Sequence, residues 1–260
     1  MDDAGDAAVR QVGGDDAITT RIGAVVLPIG VILIAISEIF HPSREDPMDF
    51  PAVFREYAQS NVWTTVHLGE YFGFLFLLGG LVALYYSVSS SPGAGAGLAP
   101  FGLAAAVTTA ASFTVLQAVD SITLRYAVHN WVSAPAPEKP AAFAAAEVAR
   151  WTEIGINAFS YFLAGLTLLL FGLAIALGRV YPRWVGLIAA VSGAAFMYDG
   201  VVVVAHQGFV PDIIKLVGLL LLAVWAFVMA ALMWRNSSRR RVARLESTAS
   251  RGTLRPPASG

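Results

Sequence analysis

The chain of 260 residues contains no cysteine. Disulfides, thiolate metal sites, iron–sulfur clusters and covalent c-type haem attachment are therefore excluded. Charge is scarce as well: 13% of residues are charged, where a soluble domain carries roughly 25%. There is no P-loop, no G-x-S-x-G and no H-E-x-x-H, so the common nucleotide-binding, α/β-hydrolase and zincin chemistries have no support. No soluble domain is left over to carry nucleic-acid binding. The net charge of −1 says nothing about partners.

What the chain has is hydrophobicity. Hydrophobic residues make up 57%, mean hydropathy is +0.65, and apolar runs of about 20 residues recur along its length, which is the signature of membrane-spanning helices. Six spans are predicted, at residues 22–40, 62–87, 101–127, 151–177, 184–206 and 212–234. The fold class is all-α, a polytopic membrane bundle. Residues 1–20 are polar and acidic and residues 236–260 basic and Ser/Pro-rich, so both read as disordered tails around a transmembrane domain at 21–235. Asp49 reads as the N-cap of a two-turn helix with Pro51 in its first turn. The apolar stripe of that helix, Phe50, Val53, Phe54 and Tyr57, suits a membrane surface.

Six spans put both termini on one side. Eleven Lys and Arg fall on the terminal side and six on the other, which predicts cytoplasmic termini in an inner membrane. Trp63, Trp131 and Trp151 then mark the outer interface, Trp184 and Trp234 the inner one. Besides the bilayer, the basic tail is suited to contact anionic lipid.

The ionisable residues inside the spans are not scattered. Glu38 and His41 close the first span, and His67 and Glu70 open the second. Asp120 lies late in the third, Glu153 early in the fourth, and Asp199 and His206 close the fifth. All fall in the outward half, while the inward half is almost wholly apolar. One such residue at a helix centre costs roughly 2.5–3.5 kcal/mol on insertion scales, so a shared level implies shared partners, protons, water or a metal. At about 100° per residue, Glu38 shares a face with His41, His67 with Glu70, and Glu153 with Asn157. His129 points away from Asp120. Arg125 is placed to neutralise Asp120 or Glu153. Gly69 and Gly73, four apart, allow a close helix neighbour.

Several chemistries use such a set. Glu-x-x-His is one component of di-iron and di-manganese bundles. Two His and a carboxylate also suit a zinc ion with an open water position, hence hydrolysis of a lipid-like or small substrate. Haem b ligated by His41, His67 or His206 is a weaker alternative. A proton-coupled transporter or relay would use the same acids and histidines, although the inward half offers no polar path. A structural or sensor subunit with a self-satisfied polar core would need no ligand.

Glu38-x-x-His41-Pro42, an acidic loop, then Trp63-x-x-x-His67-Leu68-Gly69 resembles uncharacterised multi-pass membrane proteins of bacteria grouped as domains of unknown function. The resemblance covers mainly residues 38–73. It implies a bacterial inner-membrane location and carries no activity, so no residue role follows from it.

Overall fold

The computed structural model describes residues 3–210 and 212–253, with side chains over 17–210 and 212–239. Helices run at α1 (Asp3–Phe40), α2 (Phe50–Gln59), α3 (Trp63–Ser89), α4 (Ala94–Gln117), α5 (Arg125–Ser133), α6 (Lys139–Leu177), α7 (Arg183–Tyr198), α8 (Ala205–Gln207) and α9 (Ile213–Thr253). Two π-helical segments, Ala118–Leu124 and Asp199–Val204, join α4 to α5 and α7 to α8 without a break. The result is six helices long and apolar enough to cross a bilayer. The protein is a multi-pass membrane protein with an all-α fold.

Helix bounds differ from those read in the sequence. The Gly-rich stretch at 90–99 is helical from Ala94, and Pro100 lies inside α4, where it removes one i→i−4 hydrogen bond. The Ala-rich run at 141–150 is continuous with the fourth span, giving one helix of 39 residues. Helix is also drawn through residues 3–20 and 236–253, read in sequence as tails. The lipid contact expected of the basic tail falls mostly on side chains outside the described residues.

The spans pack in the cyclic order α1, α3, α4, α6, α7, α9 and back to α1. Chain order therefore becomes ring order, with an interior that side chains must fill or leave open. Apolar burial gives little drive between helices in lipid, so close backbone approach does the packing. Glycines make it possible. A Cβ on Gly73 would lie 2.6 Å from Ile34 Cγ1, and one on Gly172 would lie 2.6 Å from the Gly186 carbonyl oxygen. Gly165 and Gly193 repeat that reciprocal contact one heptad away along α6 and α7.

The end of the ring that carries the 41–49 loop, here the upper end, is covered in part by α2. Its N-cap is as expected: the Asp49 carboxylate accepts from the Ala52 N–H at 3.1 Å. Its apolar stripe does not lie on a membrane surface, however. Phe50, Val53, Phe54 and Tyr57 are buried against Trp63, Val128, Trp131 and Ala146. The same packing corrects the aromatic belt. Trp63 is 0% and Trp131 8% exposed, so both are core residues, whereas Trp151, Trp184 and Trp234 are each about half exposed.

Candidate functional site

Inside the ring is a cavity of about 300 Å³, opening at the 41–49 loop. Its upper wall carries Glu38, His41, Glu70, Asp120 and Glu153, from four of the six spans and the 41–49 loop. These are five of the eight residues singled out in sequence. His67 stands just behind them, 1% exposed.

His67 is the pivot. The Trp63 carbonyl lies 2.7 Å from its Nδ1. A carbonyl only accepts, so Nδ1 carries the hydrogen, and Nε2 is the ring atom left to meet the cavity side. Nε2 lies 3.0 Å from Asp120 Oδ2. The N–H direction at Nε2 does not meet that oxygen in hydrogen-bond alignment, so this is a close charge contact with Nε2 otherwise unpartnered. The His41 ring lies 5.3 Å from the His67 ring. One ligand atom each from His41, His67 and Asp120 falls within 4.8 Å of the others. An ion with bonds of about 2.1 Å spans at most about 4.2 Å between opposite ligands, so the widest pair would close by roughly half an ångström.

His41 lies just beyond the first span. Burial holds its imidazole below the ordinary value; Asp120 and Glu38 work against that shift, while His67 and Arg150 reinforce it. A neutral imidazole is the ligating form. In α2, burial pushes the Tyr57 phenol above its ordinary value, with Arg150 opposing. The Tyr57 ring packs tilted on Trp63 at 4.3 Å, and Trp63 tilted on His67 at 4.4 Å, so a run of aromatic rings holds the His67 ring from above.

Asp120 owes its position to the first π-helical segment. A π turn widens the helix and releases carbonyls from the regular ladder, and such turns are frequent at functional sites. Here side chains take up those carbonyls. Trp63 Nε1 donates to the Ser121 carbonyl at 3.2 Å, Ser121 Oγ to that of Gln117 at 2.5 Å, and Thr123 Oγ1 to that of Ala118 at 3.2 Å. Gln117 Nε2 in turn donates to Glu70 Oε2 at 3.1 Å.

Glu153 finds its partner on its own helix. Arg150 Nη1 donates to both carboxylate oxygens, at 2.9 and 2.8 Å, and both residues are buried. The arginine foreseen for this task, Arg125, instead bonds Thr64 Oγ1 on the outer surface. Arg150 also lies over the rings of Phe209 and Tyr57, at 4.7 and 5.5 Å. The sequence signal was there as an i, i+3 Arg–Glu pair, but Arg150 fell one residue before the predicted span. Lys215 falls inside the sixth predicted span, where the sequence reading uses it only in the balance of positive charge. It lines the cavity with its ammonium over the Tyr161 ring at 4.8 Å.

The two remaining sequence candidates stand apart from the cavity wall. His206 is exposed, and its Nδ1 bonds the Val201 carbonyl at 2.9 Å in the second π segment. Asp199 opens that segment, is 1% exposed, and has no hydrogen-bond partner on either carboxylate oxygen. His129 lies on the far side, lining a shallow surface pocket with Arg125.

Fold and site together define a six-span integral membrane protein with a cavity lined at one end by acids, imidazoles, the buried Arg150 and the half-buried Lys215. Comparison with protein-family profiles, curated proteins and solved structures finds no match to this chain.

Proposed function

We propose that the protein is a membrane metalloprotein in which His41, His67 and Asp120 hold one divalent transition-metal ion at the upper end of the cavity. The observation that carries this reading is the His67 geometry. Its Nδ1 hydrogen is committed to Trp63, and its Nε2 faces a carboxylate oxygen at 3.0 Å. A nitrogen and an oxygen so placed can share a cation between them. His41 supplies the third ligand, from the 41–49 loop. The backbone carbonyl behind His67 is the partner that metal-binding imidazoles usually have.

Two imidazoles and one carboxylate suit zinc first, with iron and manganese as competitors. Such a set leaves a coordination position open, which here would face the cavity. A water held there by zinc would ionise near neutral pH, and Glu70 lines the same wall. The basic bias of the terminal side supports cytoplasmic termini and an outward-facing site, in a bacterial inner membrane as the resemblance implies.

Elemental analysis of protein purified in detergent without chelator tests the reading. About one zinc, iron or manganese per chain is expected, lost in His67→Ala and Asp120→Asn and kept in His206→Ala. Absence of stoichiometric metal, with thermal stability unmoved by added zinc, would remove the metal site and leave a proton as the bridging cation. A Soret band would replace it with haem.

A further inference from the structure

We propose that the cavity below the His41–Asp120 level binds one fatty-acyl chain, with a carboxylate head beside Lys215 and the tail running down to Trp225. The inference rests on the cavity and Lys215, and holds whether or not the metal site is occupied.

The cavity wall changes character with depth. Its upper part is polar. Its lower part is lined by Leu27, Leu81, Phe113, Leu168, Phe196 and Trp225, from all six spans. Lys215 and Trp225 mark the two levels on α9, ten residues apart, which at about 1.5 Å per residue is a depth of about 15 Å. A space of about 300 Å³ is at the small end for ligand sites. Drawn out over that depth it admits one extended chain and not the two of an ordinary phospholipid.

An apolar space of this size is unfavourable to leave empty, and water there would find too few partners. Below Thr109 and Thr167 the one polar atom of the named lining is the Trp225 indole nitrogen, on a residue 1% exposed and with no hydrogen-bond partner. Hydrocarbon fills such a space without asking for hydrogen bonds. Access is at the upper end, where Pro42, Ser43, Glu45 and Glu56 line the mouth.

The head is assigned by charge. Glu153 is matched by Arg150, and Asp120 faces His67. Among the described residues, no carboxylate lies within ion-pair distance of Lys215. Its ammonium lies over the Tyr161 ring, at the polar level and on the cavity wall. Glu38 and Asp199 attract it from beyond ion-pair distance, so an anionic oxygen head supplies the one close ion pair it does not have.

Tryptophan fluorescence of the full chain in nanodiscs tests the proposal, with terminally brominated dodecanoic acid as probe. Bromine quenches an indole it touches. Trp151, Trp184 and Trp234, half exposed on the lipid face, report partition into the bilayer. The difference between wild type and Trp225→Phe reports the foot of the cavity. Saturable quenching of that difference is expected, and its loss in Ala110→Phe, which places a ring in the bore. Quenching that is non-saturable and identical in wild type and Trp225→Phe would overturn the chain site, even if Ala110→Phe fails to fold. For the head, Lys215→Met should weaken the acid about tenfold, as loss of one charge-assisted bond does, and leave the brominated alcohol unchanged. Equal binding of brominated dodecanoic acid and dodecylamine would overturn the head assignment. Repeating the titration after chelation separates the two readings: quenching that survives metal removal supports the chain site alone.

Discussion

Asp120 and Asp199 invite comparison. Each lies in a π-helical segment near the upper end of a span, and each is buried, at 9% and 1% exposure. Asp120 projects onto a cavity wall, faces His67 at 3.0 Å and sits in a turn whose carbonyls are taken up by Trp63, Ser121 and Thr123. Asp199 has no hydrogen-bond partner at either oxygen, and its turn is tied by His206 alone among the described side chains. The same backbone device thus serves a constructed site in one span and a carboxyl without a hydrogen-bond partner in the other. Burial and helix type do not separate them; what each carboxylate faces does.

The sharpest test of that distinction uses the one buried carboxylate that is fully matched. Glu153→Ala strands the Arg150 guanidinium and should cost about 3–5 kcal/mol, read by reversible unfolding in mixed micelles. A loss under about 1 kcal/mol would mean that the pair is no better matched than Asp199. Next is ion binding. Asp120→Asn should lower metal affinity on the order of 100-fold, while Asp199→Asn leaves it within a factor of two. Competition against a chromophoric chelator measures both, and equal losses would dissolve the comparison. Stability should move the opposite way. Asp199→Asn replaces a buried carboxyl that accepts no hydrogen bond by a group that cannot ionise, and should stabilise by about 1–3 kcal/mol, whereas Asp120→Asn should not stabilise. Melting of the two variants without metal decides this.

Acidity gives a fourth test. The folded-state value of His41 is lowered, chiefly by burial, so on acidification the unfolded chain takes up the proton first. Its contribution to stability is fully present above the unfolded value, about 6.5, and is lost as pH falls through the folded value. His41→Phe should flatten the acid limb of the stability profile below pH of about 6.5. The smallest effect belongs to His206→Phe. It removes one exposed bond to the Val201 carbonyl, and should cost under about 1 kcal/mol with metal content unchanged.

The spans were legible because apolar runs of that length have no other use, and α1 ends where His41-Pro42 ends it. The level of the site was legible for a related reason. Glu70, Asp120 and Glu153 are too costly in lipid to be scattered, and their periodicity turned them inward, while Glu38 lines the cavity from an exposed position. Arg150 was not legible, because hydropathy draws a span's edge at its first charge, and α6 extends beyond the apolar run. Lys215 lies inside the predicted sixth span, but nothing in its spacing says that it turns to the cavity. The π segments have no compositional mark. AVDSITL and DGVVVV read as ordinary helix, so the register shift that turns Asp120 to the cavity wall was invisible. Nor could spacing tell that α2 folds onto the ring rather than onto lipid. That depends on Trp131 and Phe143, about eighty residues away in the chain.

One feature of α6 bears on how the protein is made. Arg150 and Glu153 are joined at i, i+3 on a single helix, so the two charges can neutralise each other as soon as that helix forms. A lone charge at a helix centre costs roughly 2.5–3.5 kcal/mol on insertion, and the fourth span can enter the bilayer as a neutral segment, with no neighbour in place. The His67–Asp120 contact cannot form that way, since its halves arrive on different spans. Biogenesis therefore separates the two: one is complete at translocation, and the other waits for the third span to meet the second. A ribosome-bound chain truncated after the second span would carry His67 into the membrane with its Nδ1 partner and without its carboxylate.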